Sequence, residues 1–489
     1  METNDKQIVA IDLGSSKIAL TVAKVNMDDI QIIYYKETPS AGIRYSSIFN
    51  IMQLKEPLSK AIADAEQELG IKITQAVIGM PKFPIRQKSS NAKIPDRGED
   101  TDITLEDISN LKEFAKSLYP LENPEKEAIY GAVAQSFSDG ENFQIIENDI
   151  IGMTSDILEG HFKIFIGKKS DLNKIDTVMT RADVASMRKY FTAESTAKAV
   201  LNDSEMENGV ALIDFGGGST SVSIYHGNIM RHFASIPFGG RNITNDIKTE
   251  CQITEHLAEN IKIAFGACMP EKLQSLSDKI IHIKSNSTEP DKQLSVKYLS
   301  EIITARIEEI TMAILYEIEK SGFADRLKSG IVVTGGCAKT ANIGNFIFDL
   351  SGYKVRIGYP KMLFSCQGCN GITETSAATS VGLILASKND NTANCTIASE
   401  DNDIEVDLKI IGEDGQVEEA PEGCLFPESQ IEKIQPQKKS AKKSNGKGLM
   451  KLIFETIKDK ADKAEEFVGD LYEKVNEDNN YDNSDNNDR

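Results

Sequence analysis

Apolar residues fall twice into the same unusual pattern. Ile8-Val9-Ala10-Ile11 runs into Asp12-Leu13-Gly14-Ser15-Ser16-Lys17 and then into a second β-like run from Ile18 to Val25. About 200 residues later Val210-Ala211-Leu212-Ile213 runs into Asp214-Phe215-Gly216-Gly217-Gly218-Ser219-Thr220, followed by Ser221-Val222-Ser223-Ile224-Tyr225. Each reads as a buried strand ending in Asp-x-Gly, a turn of small residues and a returning strand. Two such copies predict a duplicated domain. A third buried strand, Ile331-Val332-Val333-Thr334, runs into Gly335-Gly336.

Helical spacing marks residues 54–69, 104–118, 254–265 and 296–320, and a further helix is expected from Arg181 to Leu201. Ala76 to Met80 reads as a short strand stopped by Pro81. Between 84 and 163 the character changes, to a polar loop at 88–102, the helix at 104–118 and β-like runs at 128–137 and 161–167. That stretch has the size of an inserted subdomain. Residues 389–446 are rich in Asn, Asp, Glu, Gln, Pro and Lys. They read as a mostly disordered linker with room for one short hairpin around 404–417.

A last periodic segment follows. At 100° per residue, Leu449, Met450, Ile453, Phe454, Ile457, Ala461, Ala464, Phe467, Val468, Leu471, Tyr472 and Val475 share an arc of about 140°. From Lys438 to Lys463 there are nine lysines against Glu455, Asp459 and Asp462, a local charge of +6 in a chain of −20. Basic residues beside bulky apolar ones suit an anionic membrane surface, where each lysine contributes about 1 kcal/mol. The expected membrane contacts are Leu449, Met450, Ile453, Phe454 and Ile457; the bland alternative is a helix docked on the protein's own core.

Composition narrows the function classes. The chain has 489 residues, enough for about three folded units. Asp and Glu outnumber Lys and Arg 75 to 55, so the surface as a whole repels phosphate backbones and a general nucleic-acid binder is disfavoured. There is no run of eighteen apolar residues, and Met1-Glu2-Thr3-Asn4-Asp5-Lys6 lacks the basic and apolar regions of a signal peptide. A cytoplasmic protein is expected. Seven scattered cysteines point to reduced thiols, and Cys366-Gln367-Gly368-Cys369 has CxxC spacing without the second ligand pair of a structural zinc site.

The turns carry the candidate chemistry. Glycines let backbone N–H groups approach phosphate oxygens, as Gly14 with Ser15 and Ser16, and Gly216, Gly217 and Gly218 with Ser219 and Thr220, would do. A nucleoside triphosphate brings a hydrated Mg²⁺ that favours one or two nearby carboxylates, and Asp12 and Asp214 at the strand ends fit that need. Lys17 adds a point charge for the β- or γ-phosphate. Glu259 and Lys262, i and i+3 on one helix face, are placed for ribose hydroxyls or else form an ordinary surface pair.

These motifs, in this order, resemble the phosphate-1, phosphate-2 and adenosine motifs of the actin, sugar kinase and Hsp70 superfamily. Within it the chain resembles the FtsA family of bacterial actin-like cell-division proteins over residues 6–388. Arg231-His232-Phe233-Ala234-Ser235-Ile236-Pro237-Phe238-Gly239-Gly240, Ala258-Glu259-Asn260-Ile261-Lys262-Ile263-Ala264-Phe265-Gly266 and Ser329-Gly330-Ile331-Val332-Val333-Thr334-Gly335-Gly336 carry the likeness. The resemblance implies an α/β, two-lobed actin-like fold, a duplicated ribonuclease H-like unit with an inserted subdomain, followed by the disordered linker and the C-terminal amphipathic helix. It assigns 1–83 and 164–203 to subdomain 1A, 84–163 to the inserted 1C, 204–240 and 326–388 to 2A and 241–325 to 2B. Beyond these come the linker 389–446, the helix 447–475 and a polar tail 476–489.

The resemblance also implies ATP and Mg²⁺ as ligands, with Gly335 and Gly336 joining Glu259 and Lys262 at the adenosine. It further implies self-assembly into a filament and a place on the inner face of the cell membrane at the division site, with slow ATP hydrolysis at most. The implied partners are the tubulin-like FtsZ and later division proteins, but no nucleic acid. In such relatives the helix that here holds Arg306 and Glu309 receives the acidic C-terminal peptide of FtsZ; Arg306 would clamp a carboxylate with help from Lys297, the alternative being a plain Arg306–Glu309 surface pair. Phe191 to Leu201 lies where relatives often show Glu-Pro, so no catalytic residue is assigned. The alternative function is a small-molecule or sugar kinase of the same superfamily, using the same cradle for phosphoryl transfer.

Overall fold

A computed structural model describes residues 6–26, 29–94, 101–274, 278–283, 292–390 and 392–398. The first lobe opens with β1 (Lys6–Leu13), β2 (Lys17–Val25) and β3 (Ile30–Pro39), an antiparallel meander. Helix α1 (Ile51–Leu69) follows, started by the Asn50 side chain accepting from the Met52 and Gln53 N–H groups and stopped at Gly70 in a left-handed conformation. Strand β4 (Gln75–Gly79) then pairs parallel with β1.

The chain next leaves the lobe. β5 (Arg86–Ile94), α2 (Leu105–Leu118), β6 (Glu127–Ser138) and β7 (Leu158–Lys168) form a three-stranded sheet, β5-β7-β6, covered by one helix. Leu111, Phe137, Leu158, Phe162 and Ile164 build a core of its own for this insertion. The chain returns through α3 (Lys169–Arg181), β8 (Ala185–Tyr190) and α4 (Thr192–Val200), and the first sheet closes as β8-β4-β1-β2-β3 plus the short strand Ser365–Cys366.

The second lobe repeats the scheme with β9 (Val210–Phe215), β10 (Thr220–His226) and β11 (Ile229–Ile236), then α5 (Gly240–Cys251), α6 (Glu255–Phe265) and α7 (Val296–Lys320), then β12 (Ile331–Thr334) and β13 (Val355–Ile357). Its order is β11-β10-β9-β12-β13, an antiparallel meander with two parallel strands added beside the first strand. This is the first lobe's arrangement again. β1 and β9 sit at the sheet centres, buried on both faces, which is why each reads as an unbroken apolar run. The fold is the two-lobed actin-like α/β fold. Helix α8 (Ala378–Asn389) crosses back to pack on α4 and β1.

Three expectations need correction. Residues 181–201 are not one helix: α3 ends at Arg181, Asp183 turns with φ 58°, and β8 is drawn into the sheet by parallel pairing with β4. The polar stretch from 88 is not a loop through 94, because Arg86–Ile94 pairs along its length with β7 as an edge strand. Such a strand needs few apolar residues. The linker does not begin at 389 either: Cys395 is fully buried and its N–H donates to Gln7 O at 2.8 Å, while β14 (Thr396–Ala398) pairs with Ile71–Ile73. The remaining linker, the hairpin at 404–417, the helix at 447–475 with Leu449, Met450, Ile453, Phe454 and Ile457, and the tail lie outside the described residues. Among the described residues no helix is long and apolar enough to cross a membrane.

Candidate functional site

The two small-residue turns meet face to face. Each is closed by its own backbone, Gly14 N–H donating to Lys17 O at 3.0 Å and Gly216 N–H to Ser219 O at 3.1 Å. A Cβ on Gly217 would overlap the Ser16 side chain, and one on Gly218 the Ser15 side chain, so the glycines of one lobe form the hollows that the serines of the other fill. The Ser15 hydroxyl is held by the Ser46 N–H at 2.9 Å. Gly240 N–H donates to Gly216 O at 3.0 Å and Arg241 N–H to Gly217 O at 2.7 Å, backing the second turn with the start of α5.

Two carboxylates and two lysines line this meeting point. Asp214 is buried and forms an ion pair with Lys82, whose ammonium also lies 3.3 Å from the Thr379 hydroxyl. Lys82 belongs to the first lobe and Asp214 to the second, so the pair crosses the cleft. Burial works against the Lys82 charge, yet Asp214 and Asp12 outweigh it and hold its pKa above the ordinary lysine value. Burial pushes the Asp12 carboxyl above the ordinary carboxylate value, helped by Asp214 and Glu37 and opposed by Lys82 and Lys17. Lys17 is lowered by burial, only partly offset by Glu37 and Asp12. It pairs with Glu37 and donates to Ser376 O at 3.1 Å, and Glu37 in turn accepts from the Tyr35 hydroxyl at 2.6 Å.

Behind the second turn Lys262 Nζ reaches Glu259 at 2.7 Å, the Thr244 hydroxyl at 2.8 Å and Gly240 O at 3.0 Å, and Thr244 also bonds Glu259. This is a built cluster rather than a solvated surface pair. Gly335 has φ 91°, and a side chain there would strike Phe215 O at 2.6 Å and Asp214 Oδ1 at 2.7 Å, so the third glycine turn lies directly against the second carboxylate. Gly336 has open space around its Cα. The Cys337 thiol contacts Gly216 O at 3.4 Å, and burial pushes its pKa up to about 11. Asp12, Gly14, Ser15, Ser16, Lys17, Asp214, Gly216 to Thr220, Gly335 and Gly336 therefore lie at the meeting of the two turns, with Glu259 and Lys262 directly behind the second.

A family model described as cell division protein FtsA matches residues 211–382. A cell division protein FtsA of Neisseria meningitidis is 30% identical over 393 residues, covering 79% of this chain and 91% of that protein. That of Borreliella burgdorferi is 31% identical over 386 residues, covering 77% of this chain and 90% of its own. The chain belongs to the FtsA family of cell-division proteins. Among solved structures, a PilM–PilN type IV pilus biogenesis complex aligns with TM-score 0.55 at 12% identity, covering 78% of this chain and 98% of that one, a likeness of fold alone.

Sequence reasoning missed several groups that complete this FtsA-family cleft. Lys82 stands 132 residues before its partner Asp214 with no motif around it, and nothing in the sequence marks it. Arg241 carried one usable signal, its place just after Gly239-Gly240 at a helix start; it donates to Ser15 O at 3.2 Å and Ile43 O at 3.4 Å across the cleft. Away from the cleft, Arg306 is already held on two sides, by a bidentate pair with Asp246 at 2.6 and 2.9 Å and by Glu309. Lys297 lies exposed nine residues earlier on α7, half a turn out of phase, so it does not share a face with Arg306.

Proposed function

We propose that this FtsA-family chain binds Mg-ATP between its two lobes, assembles with copies of itself, and ties the FtsZ ring to the inner face of the cell membrane through its C-terminal amphipathic helix. The observation that carries the nucleotide part is the pair of facing turns with Asp12 and Asp214 in one charge cluster. The N–H groups of Gly14 and Gly216 close the turns, which leaves those of Ser15 and Ser16 and of Gly217 to Ser219 to suit phosphate oxygens, and the two carboxylates suit a hydrated Mg²⁺. The residues fit the group: Lys82 supplies a cation to Asp214 as a metal would, and burial, which holds the Asp12 pKa above its ordinary value despite Lys82 and Lys17, is what a further cation would offset. Bound Mg²⁺ would neutralise phosphate charge; Lys17 and Lys82 would leave their carboxylates for phosphate oxygens. Glu259, Lys262, Gly335 and Gly336 would hold the nucleoside side.

For FtsZ we favour Arg306 with Asp246 and Glu309, an incoming peptide carboxylate competing with Asp246 for the guanidinium. Lys297 is left out of the clamp by its phase on the helix. The membrane part rests on the apolar arc and the lysines of 438–463.

Co-sedimentation with anionic liposomes tests the whole reading. The full chain should pellet with the liposomes, more strongly with Mg-ATP as polymerisation adds avidity. Truncation after Asn445 should abolish pelleting and leave ATP affinity unchanged by calorimetry. A truncated protein that pellets as well as the full chain refutes the tether, and a full chain that neither pellets nor forms filaments speaks for the kinase.

A further inference from the structure

The segment Arg231 to Phe233 has a place in the fold that the nucleotide cleft does not explain. Among the described residues β11 is one of the two edge strands of the second sheet, and an edge leaves a row of N–H and C=O groups without a neighbouring strand. The inserted subdomain caps that edge with side chains. Gln87 Oε1, on β5, accepts from the Phe233 N–H at 3.1 Å; Gln135 Nε2, on β6, donates to Met230 O at 2.9 Å; and Lys163, on β7, donates to Arg231 O. Arg231 answers by donating to Gln135 O at 3.0 Å. Each of the three inserted strands contributes one residue to these contacts.

The Gln87 contact continues inward. Because its oxygen accepts from Phe233, its NH₂ group faces His232 Nδ1 at 2.7 Å, which makes Nδ1 the acceptor and leaves the proton on Nε2. Nε2 then faces the Glu317 carboxylate at 3.3 Å. His232 and Glu317 are both buried, and Lys320 approaches the same carboxylate at 3.8 Å. Glu317 is on α7, the helix that carries Arg306. Beside this polar chain three rings from three bodies meet: Phe165 of the insertion stacks on Phe191 of the first lobe at 4.9 Å, and Phe233 of the second lobe meets them edge-on at 6.0 and 5.2 Å.

The far end of β11 closes on the phosphate turn. Ile236 pairs with Thr220, whose hydroxyl donates to Phe238 O at 2.8 Å, just before the Gly240 and Arg241 contacts to Gly216 and Gly217. One strand therefore joins the seat of the insertion to the second phosphate turn.

We propose that the Gln87–His232–Glu317 chain and its aromatic trio make the inserted subdomain a lever, its seat on β11 coupled to the second phosphate turn at one end and to α7 at the other. Side-chain contacts to a strand edge break more readily than a full strand ladder, which lets the insertion swing while the sheets stay intact. The nucleotide half of this proposal rests on the reading of the cleft given above.

Hydrogen–deuterium exchange on the full chain, without nucleotide, tests the coupling. Gln87→Leu removes the partly exposed first link, and His232→Leu removes the central one. Both should speed exchange at least tenfold, not only at 86–94 and 229–236 but also at 216–222 and 310–318. Faster exchange confined to 86–94 and 229–236 in Gln87→Leu overturns the proposal, and this variant decides it if His232→Leu does not fold. In the wild type, Mg-ATP should slow exchange at 86–94 and 158–168. No change there while calorimetry records ATP binding also overturns the lever. No binding in calorimetry instead overturns the nucleotide reading, and the variant comparison still decides the coupling.

Discussion

The two lobes share a strand order but not a turn. In the first, Asp12 is followed by a single glycine and two serines; in the second, Asp214 is followed by three glycines and then Ser219. The serines project and the glycines recede, so the copies fit together where identical turns would clash or leave a gap. The carboxylates differ in the same complementary way. Asp214 has a lysine from the opposite lobe as its ion-pair partner, while Asp12 is governed by burial, which Lys82 and Lys17 only partly offset. Duplication supplies two similar frames, and a functional cleft needs the copies to diverge where they touch.

Breaking that complementarity at the glycines should have the largest effect. Gly217→Val and Gly218→Val place side chains on top of Ser16 and Ser15, and each should cost about two decades of Mg-ATP affinity, about 2.8 kcal/mol. Ser16→Ala in the other turn removes only a knob and should stay within about threefold. Calorimetric titration of the three variants makes the comparison; equal losses on both sides would mean that the turns are not complementary.

Removing the cross-cleft cation comes next. Lys82→Met keeps length and burial but leaves Asp214 without its ammonium, and Mg-ATP affinity should drop by about tenfold, about 1.4 kcal/mol. If Lys82 served only to neutralise Asp214, Mg²⁺ would replace it and Mg-ATP would bind the variant as well as the wild type.

The smallest effect sharpens the carboxylate difference. The folded state raises the Asp12 pKa above its ordinary value of 3.8, so it binds that proton more tightly than the unfolded chain does. The associated stability is complete below the ordinary value and is lost as pH rises through the raised one. Asp12→Asn carries no charge to bury, so its melting temperature without nucleotide should exceed that of the wild type by a few degrees at pH 8, and the gap should close as pH falls towards 3.8. A gap that widens on acidification would contradict the burial of Asp12.

Much of this was legible because the informative signals are local. An apolar run that stops at Asp-x-Gly marks a buried strand and a tight turn wherever it occurs, and α1, α2, α6 and α7 followed from spacing; the structure starts them at Asn50, Thr104, Thr254 and Ser295, whose side chains accept from first-turn N–H groups. Reading failed where pairing outweighed local preference. Ala185–Tyr190 is a strand because β4 lies beside it, and Arg86–Ile94 because β7 does.

The sequence by itself determined the duplicated lobes, the insertion within the first of them and the two turns that face each other, since each depends on the order of apolar, glycine and carboxylate residues within about ten positions. Only the tertiary structure decided which charges meet. Lys82 and Asp214 are 132 residues apart, Arg231 and Gln135 are 96, and Gln87 and His232 are 145. Side chains of lysine, arginine and glutamine are soluble on any surface, so their sequence neighbours say nothing of their partners. Their partners are set by where the packed sheets bring the chain back together.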